Sequence, residues 1–188
     1  MKKQPELTAQ TKKNLTDAFW QIYCTKRIDK ITVKEITAKA QYNRGTFYEY
    51  FIDVYDVLEQ IEDSLLPKLE ELPPLNTPRD TQALPLGDFI KMYEEHSKYY
   101  IVLLGDNGDP SFLNKLKNNL KPKLKQMLIT QGAPDNFELD YTIEFTLAAM
   151  IGVLSYWYKQ ENKPPTEKLL NLIHDIMHEG VMKKLLEL

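Results

Sequence analysis

The stretch TVKEITAKAQYNRGTFYEYF, residues Thr32–Phe51, decides how this 188-residue chain is read. It opens on TVKE, a capping box. The Thr32 hydroxyl can accept the amide of Glu35, whose carboxylate can reach back to the Thr32 amide. Val33, Ile36, Thr37 and Ala40 then recur at helical spacing, giving a buried stripe about two turns long. A helix that short persists only when packed against neighbours. Asn43 suits an N-cap and restarts the helix. Phe47 and Phe51, four apart, give the new helix one anchoring edge, and Asn43, Arg44, Thr46 and Tyr48 face elsewhere.

The flanks also read as helix. Leu15, Ala18, Phe19, Ile22 and Tyr23 make one apolar stripe on a first helix of roughly 8–26, with residues 28–31 as the link. After the quoted stretch, Val54, Val57, Leu58, Ile61, Leu65 and Leu69 keep register over a long fourth helix of about 53–72. The proline-rich segment from Pro73 to Pro85 is a loop. Helical patterns resume over 86–104, with Gly105 as a C-cap. Asp109 and Pro110 then supply the N-cap and first residue of a helix reaching about 130, bent at Pro122. Residues 137–160 and 166–186 form two long apolar-rich helices. No alternating strand pattern, repeat or low-complexity tract interrupts them, so the expected fold class is all-α.

Composition narrows the function classes. Hydrophobic residues make up 43% and charged residues 27%, as in globular proteins. No apolar run is long enough for a membrane span, the lysine-bearing start lacks an apolar signal region, and the single cysteine, Cys24, excludes an internal disulfide framework. A cytoplasmic location is expected. The net charge of −3 hides an asymmetry. Residues 1–50 hold ten Lys/Arg against five Asp/Glu, a net of +5, and residues 51–188 hold fourteen against twenty-two, a net of −8. A basic head of this kind suits a polyanion.

Two short helices joined by a tight turn describe a helix-turn-helix, whose second helix enters the DNA major groove. Arg44 can reach guanine O6 and N7, and Tyr48 can stack on or bond a base edge. Gly45 lets the backbone approach a phosphate, and Thr46 and Tyr50 can donate to phosphate oxygens. Lys26, Arg27, Lys30, Lys34 and Lys39 supply neighbouring positive charge.

The stretch resembles the TetR family of bacterial transcriptional regulators, whose heads carry a pattern of the type T-V-x-x-I-a-x-x-a-G-V-S-x-G-T-F-Y-x-Y-F. Thr32, Val33, Ile36, Ala40, Gly45, Thr46, Phe47, Tyr48, Tyr50 and Phe51 match it without a gap. The resemblance implies a three-helix DNA-binding domain over residues 1–52 and a larger helical bundle over 53–188 for effector binding and dimerisation. It makes Asn43, Arg44 and Tyr48 base-facing candidates, and Thr32, Thr46, Tyr48 and Tyr50 phosphate-facing candidates. Three positions depart from the pattern. Gln41 replaces the turn glycine, so either it adopts positive φ or the turn differs; Tyr42 replaces a small apolar residue; Val54 replaces a phosphate-contacting lysine.

The resemblance also implies a homodimer through the last two helices on an inverted-repeat operator of double-stranded DNA, with repression as the expected output. A small-molecule effector would enter the body and release the DNA; Tyr93, Tyr100, Phe112, Met127, Phe145 and Trp157 are candidates to line its pocket. An adaptor of the same fold, whose body binds a partner protein, is the alternative. No cofactor or metal is expected, since His174 and His178 lack a third ligand at suitable spacing and DNGD at Asp106–Asp109 lacks the distal Glu of a calcium loop. Cys24 is expected to be a buried, inert thiol. No nucleophile elbow, phosphate-cradling loop or dinucleotide fingerprint points to an enzyme.

Overall fold

The computed structural model describes residues 5–67, 94–105 and 108–180. Among them every regular element is helical: α1 Pro5–Tyr23, a 3-10 turn Ile28–Lys30, α2 Val33–Ala40, α3 Arg44–Tyr48, α4 Val54–Leu65, α5 Ser97–Leu103, α6 Pro110–Thr130, α7 Phe137–Lys159 and α8 Thr166–Glu179. The chain divides into two compact units, one of residues 1–66 and 106–108, the other of 67–105 and 109–188. The first unit therefore holds α4 together with the three helices before it.

In the first unit, Leu15, Ala18, Phe19 and Tyr23 of α1 are buried, as the sequence stripe requires. They share the core with Ile36 of α2, Phe47 and Phe51, and Val54, Val57, Leu58, Ile61 and Leu65 of α4. Full burial of a side chain such as Phe47 contributes roughly 1.5–3 kcal/mol relative to exposure. The Phe47 and Phe51 rings lie 5.4 Å apart, and the Phe19 and Tyr23 rings stack at 5.6 Å. Glu62, 1% exposed, is buried on the same side of α4, which the apolar spacing did not announce. Cys24 departs from expectation: it follows the last turn of α1 and stands exposed, and partial shielding raises its thiol pKa.

The second unit is built on α6 and α7. Phe112, Leu116 and Leu120 of α6 are buried, with Ile143, Leu147, Leu154, Trp157 and Tyr158 of α7, Leu169 and Ile173 of α8, and Tyr100 and Leu103 of α5. Asp109 caps α6 by accepting the Ser111 amide at 2.8 Å, with Pro110 at the first turn. Pro122 lies inside that helix. Leu104, not Gly105, ends α5. Gly105 is needed for room instead: a Cβ there would stand 2.8 Å from the Ile101 carbonyl oxygen.

Three lysines one turn apart on α6 tie it to α7. Lys117 and Lys121 bond Glu144 at 2.6 and 2.8 Å, and Lys125 pairs with Asp135 and Asp140, both at 2.8 Å. The hydrogen bonds from Lys117 and Lys121 hold the Glu144 pKa down to about 2. At the α7–α8 connection the Trp157 indole donates to the Pro164 carbonyl at 2.8 Å, and Lys163 lies 4.2 Å above the indole ring. No described helix is long and apolar enough to cross a membrane.

Candidate nucleic-acid interface

The helix-turn-helix is assembled from its caps. Thr32 Oγ1 accepts the Glu35 amide at 3.3 Å, while Glu35 Oε2 accepts from the Thr32 amide at 2.9 Å and from its hydroxyl at 2.8 Å. The box forms as the sequence predicted. Lys26 adds a bond to Glu35 Oε1 at 2.6 Å. That bond, followed by those from Thr32, lowers the Glu35 pKa. The Thr32 hydroxyl proton is thus committed to the cap, so Thr32 can approach a phosphate only by giving up that bond.

The turn takes the first of the two routes open to it. Gln41 adopts φ 60° and ψ 37°, left-handed, and among the described residues no other non-glycine has positive φ. The Gln41 amide bonds Ala38 and the Tyr42 amide reaches back to Thr37 at 3.0 Å, the paired bonds of a Schellman end. A non-glycine in this conformation costs about 1 kcal/mol. Tyr42 offsets part of it, because its phenolic oxygen accepts from Asn14 Nδ2 of α1 at 3.0 Å. Sequence reasoning gave Asn14 no role; its polarity on the rim of an apolar stripe was the available signal.

Asn43 caps α3, with Oδ1 accepting the Thr46 amide at 2.8 Å and the Thr46 hydroxyl at 3.1 Å. Because a backbone N–H can only donate, this bond fixes which Asn43 atom is the oxygen. Nδ2 is left without a partner among the described residues. Gly45 makes room for the cap: a Cβ there would stand 3.2 Å from Asn43 Oδ1. Helix α3 is short, five residues from Arg44 to Tyr48. Its last turn tightens, with Glu49 bonding Thr46 and Tyr50 bonding Phe47 at 3.0 Å.

Phe47 is fully buried, whereas Arg44 is exposed and Tyr48 is 59% exposed, its ring edge-on to Phe47 at 5.5 Å. Arg44 has no ion pair among the described residues. The short helix therefore has an apolar inner edge and, elsewhere, a guanidinium, an amide and a phenol available to a partner. Gly45 is exposed as well, while Thr46 and Tyr50 are half-buried.

The surrounding positive charge is smaller than the sequence count. Lys26 pairs with Glu35, and Arg27 and Lys30 both pair with Asp29, at 3.4 and 3.5 Å. Lys34 and Lys39 are exposed and, among the described residues, form no ion pair. Val54 is buried, so that position offers a surface partner nothing. At the start of α4, Asp53 Oδ1 accepts the Tyr55 and Asp56 amides, and Asp56 Oδ2 accepts the Ile52 amide at 2.7 Å. Ile52 is 81% exposed beside them.

The candidate pocket residues do not all come together. Tyr100 and Phe112 are fully buried with ring centroids 6.0 Å apart, and Trp157 is buried. Burial raises the Tyr100 pKa, and raises that of Tyr158 to about 12. Met127 is half-buried. Phe145, by contrast, is 69% exposed on the outer face of α7. Tyr93 lies outside the described residues.

Comparison with known proteins matches this architecture. The TetR family profile described as "Transcriptional regulator C-terminal region" matches residues 86–179, half of the chain. No curated protein sequence matches. A TetR transcriptional regulator from Streptococcus agalactiae 2603V is similar in structure, with TM-score 0.65 and 22% identity over 89% of this chain and 93% of its own. The dihydroxyacetone kinase operon activator DhaS gives TM-score 0.58 and 18% identity over 92% and 95%. The fatty acid degradation regulator FadR from Bacillus halodurans gives 0.60 and 15% over 96% and 98%. The chain belongs to the TetR family of transcriptional regulators.

Proposed function

We propose that the chain is a sequence-specific repressor that binds an inverted-repeat operator as a homodimer and is released by a small molecule. The observation that carries this reading is α3: Arg44 and Tyr48 are exposed on a helix anchored by buried Phe47. A major groove admits one such helix, and a guanidinium and a phenol are groups that read base edges there. Asn43 Nδ2 is a further base-facing donor. Thr46, Tyr50 and the backbone at Gly45 would meet phosphates, with Thr32 once its cap bond yields. Residues 1–52 carry this role, and residues 53–188 carry pairing through α7 and α8 and the effector site. An effector there would meet Tyr100, Phe112 and Trp157; Met127, fifteen residues beyond Phe112 on α6, lies about 22 Å along the helix and outside that cluster. It would act by shifting the dimer between DNA-competent and incompetent states.

The test is fluorescence anisotropy with DNA from upstream of the chain's own gene, across a salt series. An unrelated duplex and an Arg44→Ala/Tyr48→Ala variant run alongside. Tight binding to the upstream duplex alone, steeply salt-dependent and lost in the variant, is the expected result. Equal weak binding to both duplexes, unchanged in the variant, would remove the base-reading role. One observation favours a second reading, an adaptor that binds a partner protein: α4 begins with two carboxylates and a buried valine in place of a surface cation. A dimer that ignores DNA but captures a protein would establish it.

A further inference from the structure

Helix α7 buries Ile143, Leu147, Leu154 and Trp157, and its opposite face is exposed. Along that outer face Glu138, Phe145, Gly152 and Lys159 recur seven residues apart, all exposed. A seven-residue repeat drifts slowly around an α-helix and follows the contact line of two helices crossing at roughly 20° in a left-handed sense. The order of the four residues matters. Read from one end they are acid, aromatic, glycine, base. An antiparallel copy turned about a two-fold axis between Ala148 and Ala149 sets Glu138 against Lys159 and Phe145 against Gly152, each twice.

Gly152 is not explained by its neighbours among the described residues, where a Cβ would meet nothing within 4 Å. A mid-helix glycine is about 1 kcal/mol less favourable than alanine. Against a second copy it forms the recess that receives a Phe145 ring left 69% exposed in one chain. Ala148 and Ala149, both exposed, allow close approach at the axis, where each faces its own counterpart. The matching charges sit at the ends of the line, where the helices diverge and long side chains still reach.

We propose that α7 is the central element of the subunit interface and that it pairs with α7 of a second copy, antiparallel, in the register that joins Glu138 to Lys159 and Phe145 to Gly152. This rests on the homodimer reading above and specifies its geometry. Such a contact is isologous, so it closes at two subunits.

Two arms test it on the full-length chain. In a Cys24→Ser background, Ala149→Cys should form an intersubunit disulfide under mild oxidation, because the two Cβ atoms meet across the axis. Separately, Glu138→Lys and Lys159→Glu should each raise the dimer dissociation constant roughly tenfold, since each converts two attractive pairs into repulsive ones. The Glu138→Lys/Lys159→Glu chain should return to within about twofold of the wild type. All these positions are exposed, and circular dichroism checks that the helices persist. A dimer that neither cross-links at position 149 nor recovers in the double reversal would overturn the register and leave the homodimer standing. A chain that stays monomeric at every concentration would overturn both.

Discussion

Asn14 Nδ2 donates to the Tyr42 phenolic oxygen at 3.0 Å across 28 positions of sequence, tying the turn before α3 to the middle of α1. The turn carries a left-handed glutamine, so this bond steadies a segment that costs energy to form. Tyr42→Phe keeps the ring and removes the acceptor, leaving a part-buried amide unpaired. We expect a loss of about 1 kcal/mol in a urea titration. An unchanged midpoint would mean that water replaces the phenol at no cost.

Gln41 leads to the opposite sign. Glycine adopts positive φ without the Cβ penalty, so Gln41→Gly should stabilise the chain by about 1 kcal/mol despite removing a side chain. Gln41→Ala retains the penalty and should show no such gain. Thermal melts of the two variants side by side decide it.

Glu144 supplies a pH dependence. Its carboxylate is held at about 2, below its ordinary 4.5, by Lys117 and Lys121. A depressed pKa stabilises the folded state above the unfolded value and ceases to do so as pH falls through the folded one. Wild type should therefore exceed Glu144→Gln in stability above pH 4.5, with the gap closing between pH 4.5 and about 2. Denaturation midpoints at stepped pH report it; a constant gap would place the stabilisation in packing rather than charge.

The ion pairs in the first unit predict which cations DNA can count. Lys34→Ala and Lys39→Ala, if each loses one phosphate contact, should each reduce the slope of log K against log salt by about one. Lys26→Ala should leave that slope nearly unchanged and instead loosen the start of α2, because Lys26 serves Glu35. The slopes of the three variants, measured on one duplex, separate the roles.

Most of the helix plan was legible because its signals are local. The Thr32–Glu35 box, the Asn43 cap, and Asp109 with Pro110 all fall where residue chemistry placed them. Phe47 and Phe51 turn inward as their spacing required. What escaped depends on partners distant in sequence or on degree of exposure. The pairing of Lys26 with Glu35 and of Arg27 and Lys30 with Asp29 lowers a charge that counting had treated as available. Cys24 and Phe145 have helical neighbours that fit a buried or an exposed face equally well, and periodicity alone could not choose. Asn14 had no local reason to matter until Tyr42 was placed beside it.

The doubly capped start of α4 has a consequence for the duplex. A helix N-terminus with open amides attracts a phosphate, but here Asp53 already accepts the Tyr55 and Asp56 amides, and Asp56 takes the Ile52 amide just before the helix. On a bound operator, the sugar-phosphate link nearest that helix end would stay hydrated and fully charged. Ethylating the backbone one position at a time would then show a tolerated link inside each half-site, flanked by links where the alkyl group blocks binding. The gap in that interference pattern would be the imprint of two aspartates on the nucleic acid.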